Sequence, residues 1–382
     1  MLRVLLLCAI LPFLWTSAAC AGRQAHRAHD EPRLGEIQVI GSHNSYKLAP
    51  QPQLRELLRP FYRDIDSINY SHLSIDDQLN LGLRNLEIDV YHDPVGGRYA
   101  DPMGVRMLKQ AGIEPWPRHD QAVLNRPGFK VMHDADFDFR SWDLDLEVCL
   151  GRLATWSKRH PDHEPIVVTM NTKQGQSRIP GAVAAAEFDA NALRLLNAAV
   201  IGAMGRDVLL TPDNVRGAHA SLRDAVVTRG WPSLSASRGR FIFVLDEGGA
   251  TRSTYLSLHP HLGGAVFFVD SGEHQPESAF LVINDPVKHE QRIRDLVSQG
   301  FLVRTRADAD TREARTNDRA RFEAAKRSGA QIITTDYYIP DRSLDERYFV
   351  RFDDGGFVRA NPVTRRVPEA TTRSPGDSSF QR

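Results

Sequence analysis

Eight times along this chain a short apolar run breaks off into polar residues. The first four are "IQVIGSHN" at 37–44, "RNLEIDVYHD" at 84–93, "FKVMHDAD" at 129–136 and "PIVVTMNTK" at 165–173. The others are "RFIFVLDEG" at 240–248, "GAVFFVDSG" at 264–272, "GFLVRTRAD" at 300–308 and "AQIITTDYY" at 330–338. A strand with one wet face alternates apolar and polar residues, whereas most of these runs are nearly continuous, as strands covered on both faces require. The segments between them read as helices. "SHLSIDDQLNLGLR" places Ser74 to cap a helix, with Asp77 three residues on. "DLEVCLGRLATWSKRH" carries apolar residues at helical spacing and ends in cations that suit a helix C-terminus. "DANALRLLNAAVIGAMG", "VKHEQRIRDLVSQG" and "TNDRARFEAAKRSG" each stop at a glycine. Strand, helix, glycine, strand is a βα repeat, and eight such strands predict an α/β fold, a (β/α)8 TIM barrel, over roughly residues 34–345. A doubly wound open sheet ranks second, because no Gly-rich phosphate turn follows the first run. Long loops are expected after strand two, at 94–128, and after strand four, where 174–239 holds two helical stretches.

At 382 residues the chain has room for two ordinary domains or one barrel with insertions. Its 48 Lys plus Arg match its 48 Asp plus Glu, so charge makes no case for nucleic acid and any charged ligand must be met locally. Residues 1–20, "MLRVLLLCAILPFLWTSAAC", have an early cation, a short apolar run and small residues at the end, the layout of a secretory signal peptide. A secreted or periplasmic protein is expected, either cut by ordinary signal peptidase or lipid-anchored through Cys20. Only Cys149 then remains outside the signal, a helix-face hydrophobe, so there is no disulfide framework. Residues 368–382 read as a disordered tail.

In a barrel of this kind the chemistry gathers at the C-terminal strand ends. His43 and Asn44 end the first run, Glu87 and Asp89 the second, His133 and Asp134 the third, and Asn171 and Lys173 the fourth. Arg304 and Arg306 end the seventh run, and Thr334 and Asp336 the eighth. Pairs two apart point to the same face of a strand. Asn44, Glu87 and Asp89 would make a hard oxygen cluster suited to Ca2+ or Mg2+ and poor for Zn2+. His43 and His133 are a candidate acid and base, and Lys173 with one of the arginines adds positive charge. Together these suit cleavage of a phosphodiester, where negative charge grows on phosphate oxygens. Asp93, Asp136 and Asp138 read as solvated loop carboxylates.

"IGSHNSY", "LEIDVYHDP", "FKVMHDADFDFRS", "FIFVLDEGG" and the long block from "GFLVRTRADADT" to "AQIITTDYY" resemble the calcium-dependent phosphatidylinositol-specific phospholipase C-like proteins of bacteria. These belong to the phospholipase C-like phosphodiesterase barrels, and the resemblance extends the expected domain to 34–362. It implies a phospholipid substrate of the phosphoinositide type. His43 would act as general base or stabilise the phosphate, and His133 would protonate the leaving diacylglycerol oxygen. Asn44, Glu87 and Asp89 would hold Ca2+, which could also acidify the inositol 2-hydroxyl that attacks phosphorus. Related sequences end strand four with Glu-x-Lys, so Asn171 stands where a metal-binding Glu is usual, while Lys173 is kept. The loss of one charge should weaken metal binding.

Two rivals remain. A glycerophosphodiester phosphodiesterase would act on the corresponding headgroup diesters, but such barrels usually begin with His-Arg-Gly, not His-Asn-Ser. A degenerate barrel would only bind. The protein is expected to be a monomer; of the two readings of Trp116, Phe137, Phe139 and Trp142, ordinary packing ranks first and an interfacial rim giving transient membrane-surface contact second.

Overall fold

A computed structural model describes residues 31–117, 121–175 and 179–364. The expected signal at 1–20 and tail at 368–382 lie outside these residues. Eight parallel strands form a nearly closed barrel: β1 (Ile37–Ser42), β2 (Asn85–Asp93), β4 (Ile166–Lys173), β5 (Phe241–Leu245), β6 (Phe267–Val269), β7 (Phe280–Val282), β8 (Leu302–Arg306) and β9 (Ile332–Thr335). Their order is β6-β5-β4-β2-β1-β9-β8-β7. The ring is completed by a single bridge between Asp270 and Phe280, at the β6–β7 seam.

Two short strands run against the barrel direction. β10 (Val358–Ala360) covers the lower half of β1, with Ile37 opposite Ala360, and β2 meets β1 only at Gly41 opposite Asn85. β3 (Gly128–Val131) pairs antiparallel with the upper half of β2, Val90 opposite Val131 and Asp93 opposite Gly128. The third apolar run is therefore not a barrel strand, contrary to expectation. The missing barrel strand is β7, three residues within "SAFLVIND", too short to stand out from its flanks.

The helices follow the local signals. Ser74 accepts a hydrogen bond from the Asp77 amide and caps Ile75–Leu81, which ends at left-handed Gly82 (φ 111°). Asp145 caps Leu146–Arg159, whose face carries fully buried Cys149. The helices Ala190–Met204, Pro286–Ser298 and Ala320–Ser328 complete the expected set. Among the described residues the 174–239 excursion holds four helices, not two; short ones at Pro212–Arg216, Leu222–Thr228 and Leu234–Ser237 follow the first. The 94–128 loop contains a helix of its own, Met103–Gln110.

The main core fills the barrel below its mouth and the shell of helices around it. A second apolar cluster lies above, built from Leu54, Leu58, Tyr91, Tyr99, Leu108, Met132, Phe137 and Phe139. It packs the connection after β1 onto the connection after β2. That upper cluster fixes the loop that carries His133.

Candidate active site

β1 delivers His43 to the mouth through a tight turn, in which Asn44 takes a left-handed conformation (φ 49°). Nδ1 of His43 is 2.9 Å from Asp336 Oδ1, just past the end of β9. With a carboxylate there, Nδ1 carries the proton and Nε2 holds the lone pair. Arg306 Nη1 approaches Nε2 at 3.3 Å and donates to Asp336 Oδ2 through Nη2 at 3.2 Å. Burial and then the Arg306 charge push the His43 pKa well below 6.5, so the ring is neutral at neutral pH. The backbone carbonyl of His43 accepts from His72 Nε2 at 2.7 Å. Asp336 was noted only as a strand end in the sequence; it is the buried anchor of this imidazole.

His133 reaches the same opening from above. Because β3 starts at the end of β2 and descends antiparallel along it, residues after Val131 arrive below Val90, on the side of Asp89 and the mouth, instead of rising away from it. Its Nδ1 lies 2.8 Å from Asp138 Oδ2, and Nε2 has no protein partner among the described residues. The loop is a closed turn: Asp134 and Asp138 exchange both backbone hydrogen bonds, and Asp134 Oδ1 accepts from the amides of Asp136 and Phe137. The charge of His133 is near enough to contribute to the depression of the His43 pKa.

The three carboxylates read as solvated are buried and employed. Asp138 forms an ion pair with Lys47 at 3.2 Å, with side chains only 2% and 0% exposed. Asp136 accepts from the amides of Met103 and Val183, tying two excursions together. Asp93 accepts from the amides of Gly96 and Arg98. In the sequence nothing separates these acids from solvated ones, since their burial comes from segments far away in the chain.

Glu87, Asp89, Asn171 and Lys173 share one face of adjacent strands, with Asp89 opposite Asn171 and Tyr91 opposite Lys173. Asn171 Nδ2 donates to Glu87 Oε1 at 3.2 Å, and Glu87 Oε2 is held by buried Arg304 from β8. Lys173 Nζ lies 2.8 Å from Asp89 Oδ2. Burial works against charge on both partners, yet mutual attraction prevails: the Asp89 pKa is lowered and that of Lys173 raised. Asn44 is adjacent but occupied, its Nδ2 donating to Tyr70 Oη at 2.8 Å and its Oδ1 accepting from Tyr46 at 3.4 Å.

These are the residues expected to hold calcium. In favour, Asn171 Oδ1 and both Asp89 oxygens are buried and accept no aligned hydrogen bond. Against, each of the two carboxylates already has a cation of its own, and the other two donors are neutral amides. Among the described residues no group of three or more His, Cys, Asp or Glu is disposed to hold a metal ion. A calcium ion commonly takes 6–8 oxygens, several of them charged. This charge-balanced set does not fit one without displacing a side-chain cation.

One further carboxylate was not singled out in the sequence. Asp246 follows β5, and since Met170 pairs with Leu245, it continues beside Asn171 at the mouth. Its amide donates to the Met170 carbonyl, its carboxylate has no hydrogen-bond or ion-pair partner among the described residues, and burial pushes its pKa up to about 7. The signal was present in "FVLDEGG", where Asp-Glu ends an apolar run as the assigned pairs do. The mouth is open to solvent through His43, His133 and Lys173, whose side chains are 17%, 29% and 28% exposed.

The four aromatics read either as packing or as an interfacial rim divide between the two environments. Phe137 and Phe139 are buried in the upper cluster, while Trp116 and Trp142 are exposed. Phe61, Tyr62 and Val95, also in connections after barrel strands, are exposed as well, Phe61 most of all at 82%. Among the described residues no helix is long and apolar enough to cross a membrane.

A comparison with curated protein sequences yields no match. Among solved structures, the chain is similar to a calcium-dependent phosphoinositol-specific phospholipase C from the Gram-negative bacterium Pseudomonas sp (apo form, myoinositol complex). The likeness has 15% identity and a TM-score of 0.53, over 87% of this chain and 97% of that one. It is also similar to a Ca2+-dependent phosphatidylinositol-specific phospholipase C from Streptomyces antibioticus, at 17% identity and TM-score 0.50, over 80% and 95% of the two chains. Such identities speak for the barrel alone. The family model described as phosphoinositide phospholipase C, Ca2+-dependent, matches residues 33–362. A match of that extent covers nearly all of the described chain, and the protein therefore belongs to the Ca2+-dependent phosphoinositide phospholipase C family.

Proposed function

We propose that the protein cleaves the phosphodiester of a phosphoinositide-type lipid, with His43 as base and His133 as acid. The observation that carries this reading is a symmetry of roles. Each imidazole has Nδ1 on a buried carboxylate, Asp336 or Asp138, and presents Nε2 to one cation-lined opening. That is how a ring is held in one tautomer for proton transfer. Neutral His43 takes the proton of the attacking hydroxyl, the inositol 2-hydroxyl in this reading. The new O–P bond forms as the bond to the glycerol oxygen breaks, and that oxygen leaves with a proton from His133 Nε2. Arg306 turns from His43 Nε2 to the phosphate when substrate enters, which frees the lone pair. Lys173 and Arg304 offset the negative charge that builds on phosphorus oxygens.

The family is described as Ca2+-dependent, but Asn44, Glu87, Asp89 and Asn171 are already balanced by Arg304 and Lys173, and no step of this reading is routed through a metal ion. Exposed aromatics in the connections after barrel strands support transient contact with a lipid surface in this reading, by a monomer acting after export. The test is a panel of phosphatidylinositol and glycerophosphocholine, assayed on the wild type and on His43→Ala and His133→Ala. Turnover of the inositol lipid, lost by about a hundredfold or more in either variant, is the expected result. Preference for glycerophosphocholine would assign the rival headgroup class, and undiminished turnover in either variant would overturn the acid–base assignment.

A further inference from the structure

We propose that Lys173 is a tethered cation doing the electrostatic work of a divalent ion, so that this site functions without bound metal and admits Ca2+ only when the ammonium leaves Asp89. The proposal rests on the phosphodiesterase reading for what the charge is used for, but not for where the charge sits.

The argument begins with a count. Glu87 and Asp89 contribute two negative charges. Arg304 and Lys173, each paired to one of them, contribute two positive charges. A divalent ion added to these four would leave an excess of two positive charges, which only Asp246 beside Asn171 would partly offset, since Arg306 is already paired with Asp336. Asn171 explains how the balance arose. A carboxylate at that position would give the cluster a third negative charge and draw in a metal. The amide instead donates its N–H to Glu87 and leaves that carboxylate's charge to Arg304.

Lys173 is also placed to be an alternative to the ion. It sits two residues beyond Asn171 on the same face of β4, and its chain leans back so that Nζ meets Asp89. Lys173, 28% exposed, and Asn171 are the partly exposed members of the cluster, while Glu87, Asp89 and Arg304 are buried. A cation approaching from solvent thus meets Lys173 and Asn171 before the carboxylates, and Asp89 becomes available as a ligand only when the ammonium moves.

The substitution changes the chemistry as well as the charge. An ammonium offers N–H donors and a single charge but cannot ligate a hydroxyl. Activation of the attacking hydroxyl therefore falls to His43 alone, while Lys173 contributes to holding the phosphate.

Calcium binding by the full chain, followed by titration calorimetry, tests this without reference to turnover. Wild type, Lys173→Met and Lys173→Gln are compared, the glutamine variant serving should the methionine one fail to fold. The proposal expects no saturable Ca2+ binding to wild type in the micromolar range, and a gain of about tenfold or more on removing the ammonium. In the assay, wild type should be indifferent to EGTA, whereas the Lys173 variants should lose activity in EGTA and regain part of it with Ca2+. Micromolar Ca2+ affinity in wild type, or no gain in either variant, overturns the proposal. Were the phosphodiesterase reading itself wrong, only the turnover measurements would fall silent, and the calorimetry would still decide.

Discussion

Replacing Asp138 by Asn should separate the two duties of that carboxylate. In the fold it faces Lys47 at 3.2 Å on one side and His133 Nδ1 at 2.8 Å on the other. Two unit charges at that spacing attract by about 5 kcal/mol at an effective dielectric near 20. Breaking a buried pair by removing one partner typically costs about 3–5 kcal/mol, because the remaining charge is stranded. Lys47 keeps part of its support, since Nζ also donates to the carbonyls of Ile68 at 2.7 Å and Tyr70 at 3.2 Å and lies over the Tyr70 ring. The loss should therefore fall near the lower end, about 3 kcal/mol. The new amide must also choose an orientation. Its oxygen will turn to the ammonium, which can only donate, and its NH2 will then face His133. That forces His133 Nδ1 to accept and moves the ring proton to Nε2, the wrong tautomer for the pairing seen here. Urea denaturation measures the first effect and nitrogen NMR of His133 the second. In the double variant Lys47→Met, Asp138→Asn the amide is released, so most of the stability and the original tautomer should return, while turnover stays low for want of a negative charge behind the ring. A loss below about 1 kcal/mol in Asp138→Asn, or equal losses in the single and double variants, would refute the reasoning.

His72 should make stability depend on pH. Burial pushes its pKa to about 4 from 6.5, so below 6.5 the unfolded chain binds the proton more readily than the fold does. Stability is then complete above pH 6.5 and declines as pH falls toward 4, by up to about 3 kcal/mol. His72→Gln should flatten that slope in urea midpoints taken across the range, and an unchanged slope would remove His72 from the account. Gly41→Ala should unfold the barrel or cost several kcal/mol, because a Cβ there would lie 2.4 Å from Asn85 Cβ and 2.5 Å from its carbonyl oxygen, at the one register pair joining β1 to β2. Gly151→Ala, where a Cβ meets nothing within 4 Å, should instead gain about 0.5–1 kcal/mol from helix propensity. Melting curves that rank the two glycines the other way would contradict this. Phe61→Ser with Tyr62→Ser should lower binding to phosphatidylinositol vesicles by about tenfold or more while sparing turnover of a short-chain soluble substrate. Undiminished vesicle binding would take this segment out of the proposed membrane contact.

Local chemistry was legible in the sequence wherever a local rule governed it. The helix start at Ser74 and the stops before Gly205 and Gly329 follow from capping and glycine turns, which involve only neighbours in the chain. The barrel itself was readable because seven of the eight apolar runs are barrel strands. The eighth run shows where that reading stops. "FKVM" would look the same in a parallel strand or in a return strand, since periodicity reports burial and not direction. β7 escaped because three residues flanked by other apolar ones carry no period.

The candidate site divides in the same manner. That His43, Glu87, Asp89, Asn171, Lys173 and Arg304 would face one another follows from their places at strand ends, once a barrel is granted. Their partners do not follow. Asp138 and Asp336 become anchors, and Lys47 a buried cation, only because distant segments close over them and exclude water. The same closure sets charge against charge at the mouth, pairing Lys173 with Asp89 and Arg304 with Glu87. The order of residues could supply the donors and cations but not the distances between them, and those distances determine whether two carboxylates answer to a metal or to their own neighbours.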